Sequence, residues 1–444
     1  MGEKETIVRI RQLSEEIHSK WINDTARKAG DTHSWTRERT MPLSDILTCT
    51  LNKKGLSTVM ELREYFQTVK KAEQPVSKQD YLKQRQKLNP EAFKVLNGNY
   101  LRRFYDGKEP QGWRGYLVMA IDGSRAEVPN SAENRQTYGT HENKNGKTVA
   151  RACMSTVYDV YNRFILTMGV HHCYNGEIAE AKQLIEPVKE TVGGRKLLML
   201  FDRGYASLEF IDFLEKSGVN YLIRLQPGNF KAEAALMCGN DEWVQLAHTA
   251  ERLAYMKQTQ PERARELAQR ASTAVRLVKM QFGEEEHGLL ITNVPEGSAK
   301  DIRRLYRKRW TIEQKFHTLK NKMRFESVTG KASIYVKQDF WAQMLVFNIV
   351  QDLVTAAERR AVRQSKKDKH LYAIRINENI AIGLFKRQFI NLIMEEDEHR
   401  KDDMFHRLIA DMQRYIVPIR NNQKGVPRKW NKANKYKCNQ KPAF

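Results

Sequence analysis

The sequence lacks the features of a disulfide-linked or membrane-spanning protein. Its five cysteines, Cys49, Cys153, Cys173, Cys238 and Cys438, are scattered over 444 residues without a C-x-x-C pair. This pattern argues against structural disulfides and a zinc finger, so reduced thiols are expected. No apolar run approaches the roughly 18 residues that a spanning helix needs, and the N-terminus has no signal-peptide core. We therefore expect no membrane association and a cytoplasmic, nucleoid-associated location in a prokaryotic cell.

Acidic residues are also scarce relative to basic ones. The chain has 53 Asp and Glu against 76 Lys and Arg, which gives a formal net charge of +23. A positive excess of this size favours a polyanionic partner such as nucleic acid. The length leaves room for two or three domains with a substantial core.

The shortage of acids is most marked in residues 300–324, which contain ten Lys or Arg and only Asp301 and Glu313. Ser298 with Asp301 forms a capping-box pattern, and no Gly or Pro follows until Gly330, so one long helix is predicted. Apolar residues recur at helical spacing and predict a stripe that faces the core. These are Ile302, Leu305, Ile312, Phe316, Leu319 and Met323.

A second set of side chains is predicted beside that stripe. Tyr306, Arg309, Glu313 and Lys320 are separated by three, four and seven residues, which places them within a sector of roughly 60° on an α-helix. The simplest interpretation of Arg309 and Glu313 is an ion pair one turn apart. A phosphate polymer with a divalent cation would explain all four residues, because basic groups hold phosphates and a carboxylate holds the metal.

The spacing Y-x2-R-x3-E-x6-K resembles the signature of the DDE transposases of the insertion-sequence-4 family. Tyr306, Arg309, Glu313 and Lys320 match it position for position. The resemblance implies that Glu313 is the third catalytic acid and that two aspartates on upstream strands complete the set.

An α/β pattern precedes the signature. Strands are predicted at 116–121, 150–158, 164–170, 196–201 and 221–225, with helices at 178–188 and 208–216. Asp122 and Asp202 are each read as the first polar residue after a buried strand, where α/β sheets place ligands. A turn-forming role is the simpler interpretation of either Asp alone. The resemblance implies that both are catalytic and that the fold is a ribonuclease-H-like core.

The long interval before the signature is interpreted as a β-rich insertion at 226–288, with strands at 242–246 and 275–282 around a helical stretch. Trp243 is a candidate to hold a flipped base by its location, although a core tryptophan is the simpler interpretation. His171, His172 and Cys173 are read as polar residues at a strand end in preference to metal ligands.

Helical regions are predicted on both sides of the core, so the fold class is α/β with N-terminal and C-terminal helical flanks. We divide the chain into a helical DNA-binding region at 1–110, a catalytic core at 111–330, a helical region at 331–413 and a basic tail at 414–444. The first region equally fits an ordinary helical domain. The tail has nine Lys or Arg and no acid, which is typical of a segment that orders on nucleic acid.

Metal-dependent phosphodiester chemistry is the predicted activity. We expect Asp122, Asp202 and Glu313 to hold two Mg²⁺ ions, with Asp122 between them and Mn²⁺ able to substitute. Tyr306, Arg309 and Lys320 are expected to contact DNA. The resemblance implies cleavage at terminal inverted repeats, a hairpin intermediate, strand transfer into target DNA and a homodimer. The alternatives are a related nuclease such as a resolvase, or a non-catalytic DNA-binding relic.

Overall fold

The computed structural model describes residues 2–37, 39–108, 110–142, 146–281, 287–368 and 372–419, with backbone alone at 287 and 365–368. The first helices are α1 (Glu3–His18), α2 (Trp21–Ala26), α3 (Leu43–Leu51), α4 (Thr58–Tyr65), α5 (Lys78–Lys87) and α6 (Glu91–Tyr105). There follow β1 (Leu117–Glu127), α7 (Ala132–Tyr138), β2 (Thr140–Glu142), β3 (Thr148–Asp159), β4 (Ile165–His171), α8 (Glu177–Val192), β5 (Leu197–Phe201), α9 (Leu208–Lys216) and β6 (Asn220–Arg224).

The next elements are α10 (Lys231–Ala235), β7 (Asp241–Ala247), α11 (Ala254–Thr259), α12 (Pro261–Gln269), β8 (Ser272–Gln281), β9 (His287–Thr292), α13 (Ala299–Arg307) and α14 (Thr311–His317). The chain continues through α15 (Ser333–Asp368), β10 (Ile374–Ile376), α16 (Glu378–Met394), α17 (Glu398–Arg414) and β11 (Ile416–Pro418). The basic tail predicted at 414–444 lies outside the described residues beyond Ile419.

The chain forms two compact units that do not follow its linear order. The first unit comprises Met1–Glu109, Ala126–Ala152 and Phe316–Phe444, and the second comprises Pro110–Arg125 and Cys153–Lys315. The N-terminal and C-terminal helical regions, which the sequence analysis treated separately, therefore belong to one unit. The functions assigned to those regions, including DNA binding by residues 1–110, stay predictions.

The second unit contains a mixed sheet whose first five strands have the order of a ribonuclease-H-like core. Strand β4 pairs with β3, and the order then runs β3-β1-β5-β6-β9-β8-β7. Strands β1, β5 and β6 are parallel neighbours, whereas β3 and β4 are antiparallel. Strand β5 is buried at all five positions, as expected for a central strand covered on both faces. The predicted α/β fold class is confirmed.

The predicted insertion extends this sheet. Strands β7 and β8 pair antiparallel, and β8 pairs with β9, which joins β6 of the core. Its two predicted strands are present as β7 and β8, and the helical stretch between them forms α11 and α12. Trp243 on β7 is 51% exposed, so its interpretation as a core tryptophan is wrong.

The first unit is built around α15, which packs against α1, α3, α5, α6, α16 and α17. Within this helix, Ser333–Gln364 is long and apolar enough to cross a membrane, but 94% of its most apolar window is buried inside the structure. Such burial is what the core helix of a globular unit shows. Strand β2 pairs with the start of β3 in this unit, and β10 pairs with β11.

Buried charges on α15 are matched by partners from the N-terminal helices. Asp352 accepts hydrogen bonds from Arg9 Nε at 2.9 Å and from the Tyr100 hydroxyl at 2.7 Å. Asp339 pairs with Arg85 at 2.7 Å and with Lys53 at 3.2 Å. Because a buried charge is costly unless it is paired, these contacts fix the register of the helices around α15.

We predict that Asp352→Ala destabilises the first unit by about 3–5 kcal/mol, because Arg9 would stay buried without its counter-charge. The measurement is urea unfolding followed by circular dichroism. Asp403→Ala is the matched control, since Asp403 is an exposed aspartate in the same unit. A loss no larger than that of the control would contradict the structural role of the Arg9–Asp352 pair.

Candidate active site

The two predicted aspartates lie just beyond the last paired residues of two neighbouring strands. Strands β1 and β5 pair in parallel with a constant offset, from Leu117 opposite Leu197 to Ala120 opposite Leu200. Continuing this register by two residues brings Asp122 level with Asp202. Neighbouring strands lie about 4.8 Å apart, so the pairing alone places both carboxyl groups in one site.

The end of β1 differs from the prediction. Asp122 does not follow the strand but lies inside it, because β1 continues to Glu127. Residues 117–121 are buried, and from Asp122 onward burial alternates with exposure. The pairing with β5 ends first, so Asp122 occupies a position where β1 has lost that neighbour. Asp202 does follow its strand, at the start of the 3-10 turn Arg203–Tyr205.

The signature segment is not one continuous α-helix. Ser298 and Asp301 form the predicted capping box, with Ser298 N donating to Asp301 Oδ2 at 3.1 Å. A 3-10 turn at Lys308–Trp310 separates α13 from α14, and a π-helical turn at Thr318–Lys322 ends the segment well before Gly330. The predicted apolar stripe is buried throughout. The expectation of an uninterrupted helix is therefore wrong.

Arg309 connects two of the three predicted acids. Its Nη1 donates to Asp122 Oδ2 at 3.3 Å and its Nη2 donates to Glu313 Oε1 at 3.0 Å. The Arg309 side chain is only 4% exposed, whereas that of Glu313 is 41% exposed. The simple ion-pair interpretation of Arg309 and Glu313 is thus confirmed, and the same guanidinium also reaches the acid on β1.

The pKa of Asp122 reflects burial first and the neighbouring negative charges second. Burial raises its pKa, while Arg309 and the Gly123 amide lower it. The charges of Glu313 and Asp202 raise it again, and the outcome is a shift from 3.8 to about 6. One guanidinium is therefore insufficient to neutralise the three carboxylates, which is the environment that a bound cation would relieve.

Tyr306 and Lys320 have different surroundings. Tyr306 is 1% exposed, and burial raises the pKa of its hydroxyl above the usual value, so it stays protonated. Lys320 belongs to the first unit, where its Nζ lies 3.9 Å from Glu326 Oε1. The contacts with DNA proposed for Tyr306, Arg309 and Lys320 stay predictions.

Arg276 is an important positioning residue that the sequence analysis missed. Its Nε and Nη2 donate to the two carboxylate oxygens of Asp241, each at 2.6 Å. Its Nη atoms also donate to carbonyl groups of residues 294–297, at distances from 2.8 to 3.3 Å. These residues form the loop that leads into α13, so Arg276 ties the insertion to the start of the signature segment. An arginine within an otherwise apolar strand was the available signal.

Gly297 in this loop is required by a close approach. Its φ of +84° favours glycine, and a Cβ atom there would lie 2.8 Å from Trp113 Cζ2. Trp113 lies shortly before β1 in the second unit. Its contact with Gly297 therefore fixes where α13 begins within that unit.

The carboxylates of Asp122, Asp202 and Glu313 are suitable ligands for a divalent cation. Their oxygens are not arranged as a coordination shell in this structure. In the part of the chain that the structure describes, no group of three or more His, Cys, Asp or Glu side chains is placed to hold a metal. Arg309 lies between Asp122 and Glu313 instead. The Asp202 carboxylate makes no hydrogen bond or ion pair with any described residue, and hard oxygen donors of this kind suit Mg²⁺ or Mn²⁺.

A protein-family model matches the region of the chain that contains this site. The family model for the transposase DDE domain matches residues 113–349, which include Asp122, Asp202 and Glu313. The chain belongs to this family. Its members generally use divalent metal ions, in agreement with the carboxylate chemistry of the site.

Individual relatives are more distant. The transposase InsG of insertion sequence element IS4 from Escherichia coli (strain K12) is 24% identical over 279 residues, which is 60% of this chain. The matched region spans only 59% of that relative's length. The predicted membership of the insertion-sequence-4 group of DDE transposases is confirmed by the two comparisons together.

A solved structure of the piggyBac transposase synaptic complex with hairpin DNA is similar over 92% of this chain and 85% of that one. The sequences are 8% identical and the TM-score is 0.46, which is too low to support an argument.

Other candidate ligands have local partners. His171 Nε2 is 3.0 Å from Ser155 Oγ, and its Nδ1 is 3.1 Å from the carbonyl of His172. Cys173 accepts a contact through its backbone carbonyl from Cys153 Sγ at 4.0 Å. The interpretation of this stretch as strand-end polarity agrees with these bonds. Cys49, Cys153, Cys173 and Cys238 form no disulfide within the described chain.

We predict that Asp122→Asn stabilises the metal-free protein at neutral pH. Because the folded carboxyl has a pKa of about 6 and the ordinary value is 3.8, the folded protein retains a proton between about pH 4 and 6 that the unfolded chain loses. Wild-type stability therefore falls as pH rises through this window and stays reduced above it.

The expected advantage of the variant is about 1–3 kcal/mol at pH 7.5 and vanishes near pH 4. The measurement is urea unfolding in EDTA at several pH values, with Glu190→Gln as an exposed control. A constant difference between pH 4 and pH 8 would contradict the assignment.

Proposed function

We propose that the chain is an active DNA transposase, which cleaves DNA at the terminal inverted repeats of an insertion sequence and transfers the freed strand into target DNA. The observation that carries this proposal is the convergence of Asp122, Asp202 and Glu313 in one unit, with Arg309 bonded to two of them. The family membership supports the reaction class. The proposal includes a hairpin intermediate and a homodimer, which the family resemblance implies. It also includes a cytoplasmic location, which the composition suggests.

Two Mg²⁺ ions, or Mn²⁺ in their place, would supply an activated attacking oxygen and a stabilised leaving oxygen when bound. Asp122 from β1, Asp202 from the turn after β5 and Glu313 from α14 would supply the oxygen ligands. A bound cation would lower the raised pKa of Asp122, since opposite charge favours the ionised form.

Arg309 has two roles in this proposal. Without a cation, it holds Asp122 and Glu313 in place by charge-assisted hydrogen bonds. If the two carboxylates bound a cation instead, the guanidinium donors of Arg309 would become available for phosphate oxygens next to the scissile bond. Tyr306 is a buried phenol whose raised pKa keeps it protonated, and the charge of Arg309 acts on it in the opposite direction.

We predict that Asp202→Asn and Glu313→Gln each lower Mg²⁺-dependent DNA cleavage by about 10³-fold or more, because a metal site supplies several kcal/mol of transition-state stabilisation. The substrate is a supercoiled plasmid that carries the element's own terminal repeats. Glu190→Gln, an exposed glutamate at the far end of α8, is the matched control and should cleave like the wild type.

The transposase assignment is supported if the wild type, but neither Asp202→Asn nor Glu313→Gln, gives hairpin-ended or double-strand-cut product. DNA that is bound but not cut by the wild type, under good metal and salt conditions, would favour the non-catalytic DNA-binding alternative. Cutting of branched DNA in preference to the repeats would favour a resolvase.

A basic cleft in the first unit is the proposed site of additional DNA contact. The cleft has a volume of about 830 Å³ and lies between α1, α2 and the segment that precedes α3. Its basic lining residues include Lys20, Arg27, Arg37, Arg39 and Lys87. Arg37 and Arg39 are exposed, so both can reach phosphates.

We predict that the double variant Arg37→Ala/Arg39→Ala weakens DNA binding and lowers the slope of log K against log salt by about 2, one for each lost phosphate contact. Fluorescence anisotropy over a salt series is the measurement. Arg400→Ala/Arg407→Ala removes two exposed arginines from α17 in the same unit and is the control. Equal slopes for the two double variants would exclude the cleft from DNA binding.

A further inference from the structure

Glu177 is a fourth carboxylate at the ends of β1 and β5. It is the first residue of α8, which packs against the 3-10 turn Arg203–Tyr205 that follows Asp202. A Cβ atom built on Gly123 would lie 3.7 Å from Glu177 Oε1, and one built on Gly204 would lie 3.6 Å from Oε2. The carboxylate is therefore placed between the residue after Asp122 and the second residue after Asp202.

The contacts of Glu177 differ from those of its neighbour in the same helical turn. Glu180 Oε1 accepts a hydrogen bond from Asn175 Nδ2 at 2.6 Å. Glu177 makes no hydrogen bond or ion pair with any residue that the structure describes, and it is exposed. Favourable interaction with the helix dipole explains an acid in this turn. It does not explain a carboxylate directed between Gly123 and Gly204.

Tyr205 provides an independent observation at the same place. Its side chain is 2% exposed, and its hydroxyl is buried without a hydrogen-bond partner in the described structure. Burial raises the pKa of this hydroxyl, and the charges of Glu177, Asp122 and Asp202 raise it further, whereas Arg309 lowers it. The hydroxyl is therefore within electrostatic range of all three carboxylates. A buried hydroxyl that lacks a partner is unfavourable, and a bound ligand or its water would offset that loss.

We infer that Glu177 is a fourth oxygen ligand for the divalent cation held by Asp122 and Asp202, and that the Tyr205 hydroxyl bonds a water or phosphate oxygen at that cation. The inference rests on the proposed function, because it places Glu177 in the same metal site. The carboxylate lies beside both strand ends, has no other partner and is open to solvent. Neutralising charge is needed there, since Arg309 bonds Asp122 and Glu313 but neither Asp202 nor Glu177.

The test is a titration of the full-length protein with Mn²⁺ alone, in which free Mn²⁺ is followed by electron paramagnetic resonance. Glu177→Gln is expected to weaken Mn²⁺ binding by about 10-fold or more. Glu190→Gln removes the same charge from the other end of α8 and is expected to bind like the wild type. Affinity of Glu177→Gln within twofold of the wild type would overturn the inference.

A shorter acid separates ligation from long-range charge. Glu177→Asp keeps the negative charge at the start of α8 but withdraws the carboxylate by one methylene. It is expected to bind Mn²⁺ more weakly than the wild type. Full wild-type affinity in this variant would show that charge alone matters and would reject ligation by Glu177.

Asp202→Asn distinguishes failure of this inference from failure of the proposed function. Weakened Mn²⁺ binding in Asp202→Asn but not in Glu177→Gln would retain the metal site and reject Glu177 as its ligand. Unchanged binding in both variants, or no binding by the wild type, would reject the site and the inference together.

Tyr205→Phe tests the hydroxyl. Because this hydroxyl has no protein partner, its removal is expected to leave the urea midpoint unchanged or raised while it lowers Mn²⁺ affinity several-fold. A lowered urea midpoint with unchanged Mn²⁺ affinity would show that the hydroxyl serves the fold and would remove Tyr205 from the site.

Discussion

The active site depends on the buried guanidinium of Arg309. Strand β1 and helix α14 each bring a carboxylate to the same place, and two such charges in a partly buried site repel each other. Arg309 bonds both Asp122 and Glu313, so the protein can hold these acids together before any cation arrives. The 3-10 turn at Lys308–Trp310 and the Arg276 contacts with the preceding loop serve this placement.

The same bonds limit how the site can bind metal. Each carboxylate oxygen that bonds Arg309 is less available to a cation, and Asp122 already carries a raised pKa. Metal binding by Asp122 must therefore weaken the Arg309 bonds and, below about pH 6, also displace a proton. Asp202 and Glu177 have no such competitor among the described residues. These two carboxylates would hold a cation without competition from Arg309, whereas Asp122 would have to share its oxygens with the guanidinium.

The residues of the site were readable from the sequence because each has a strong local signal. Asp122 and Asp202 follow apolar runs, and Glu313 is nearly alone among basic residues. The pairing of β1 with β5 also has a trace in the numbering. Asp122 and Asp202 are 80 residues apart, and so are the two residues of every β1–β5 register pair. That equality had no meaning until the two strands were known to be neighbours, since strand pairing is non-local and no short segment encodes it.

Other features depend on tertiary contacts and were not predictable. Glu177 looks like any acid in a first helical turn, and only the Gly123 and Gly204 backbones distinguish it. Arg276 sits in an insertion strand, and its partners Asp241 and the 294–297 carbonyls come from elsewhere in the chain. The continuation of β1 was missed because the pair Asp122-Gly123 is typical of a turn, and the breaks in the signature segment were missed because no Gly or Pro marks them. Helix propensity is a weak prior that packing overrides.

The breaks in the signature segment change how its spacing should be interpreted. A sector of about 60° for Tyr306, Arg309, Glu313 and Lys320 assumes 3.6 residues per turn throughout. The 3-10 turn advances faster and the π-helical turn more slowly, so angles summed over 14 residues no longer hold. The Arg309–Glu313 bond survives because it spans a single turn. Lys320 lies beyond α14, within the π-helical turn and in the first unit. The role of Lys320 must therefore be judged from its own surroundings and not from its spacing to Glu313.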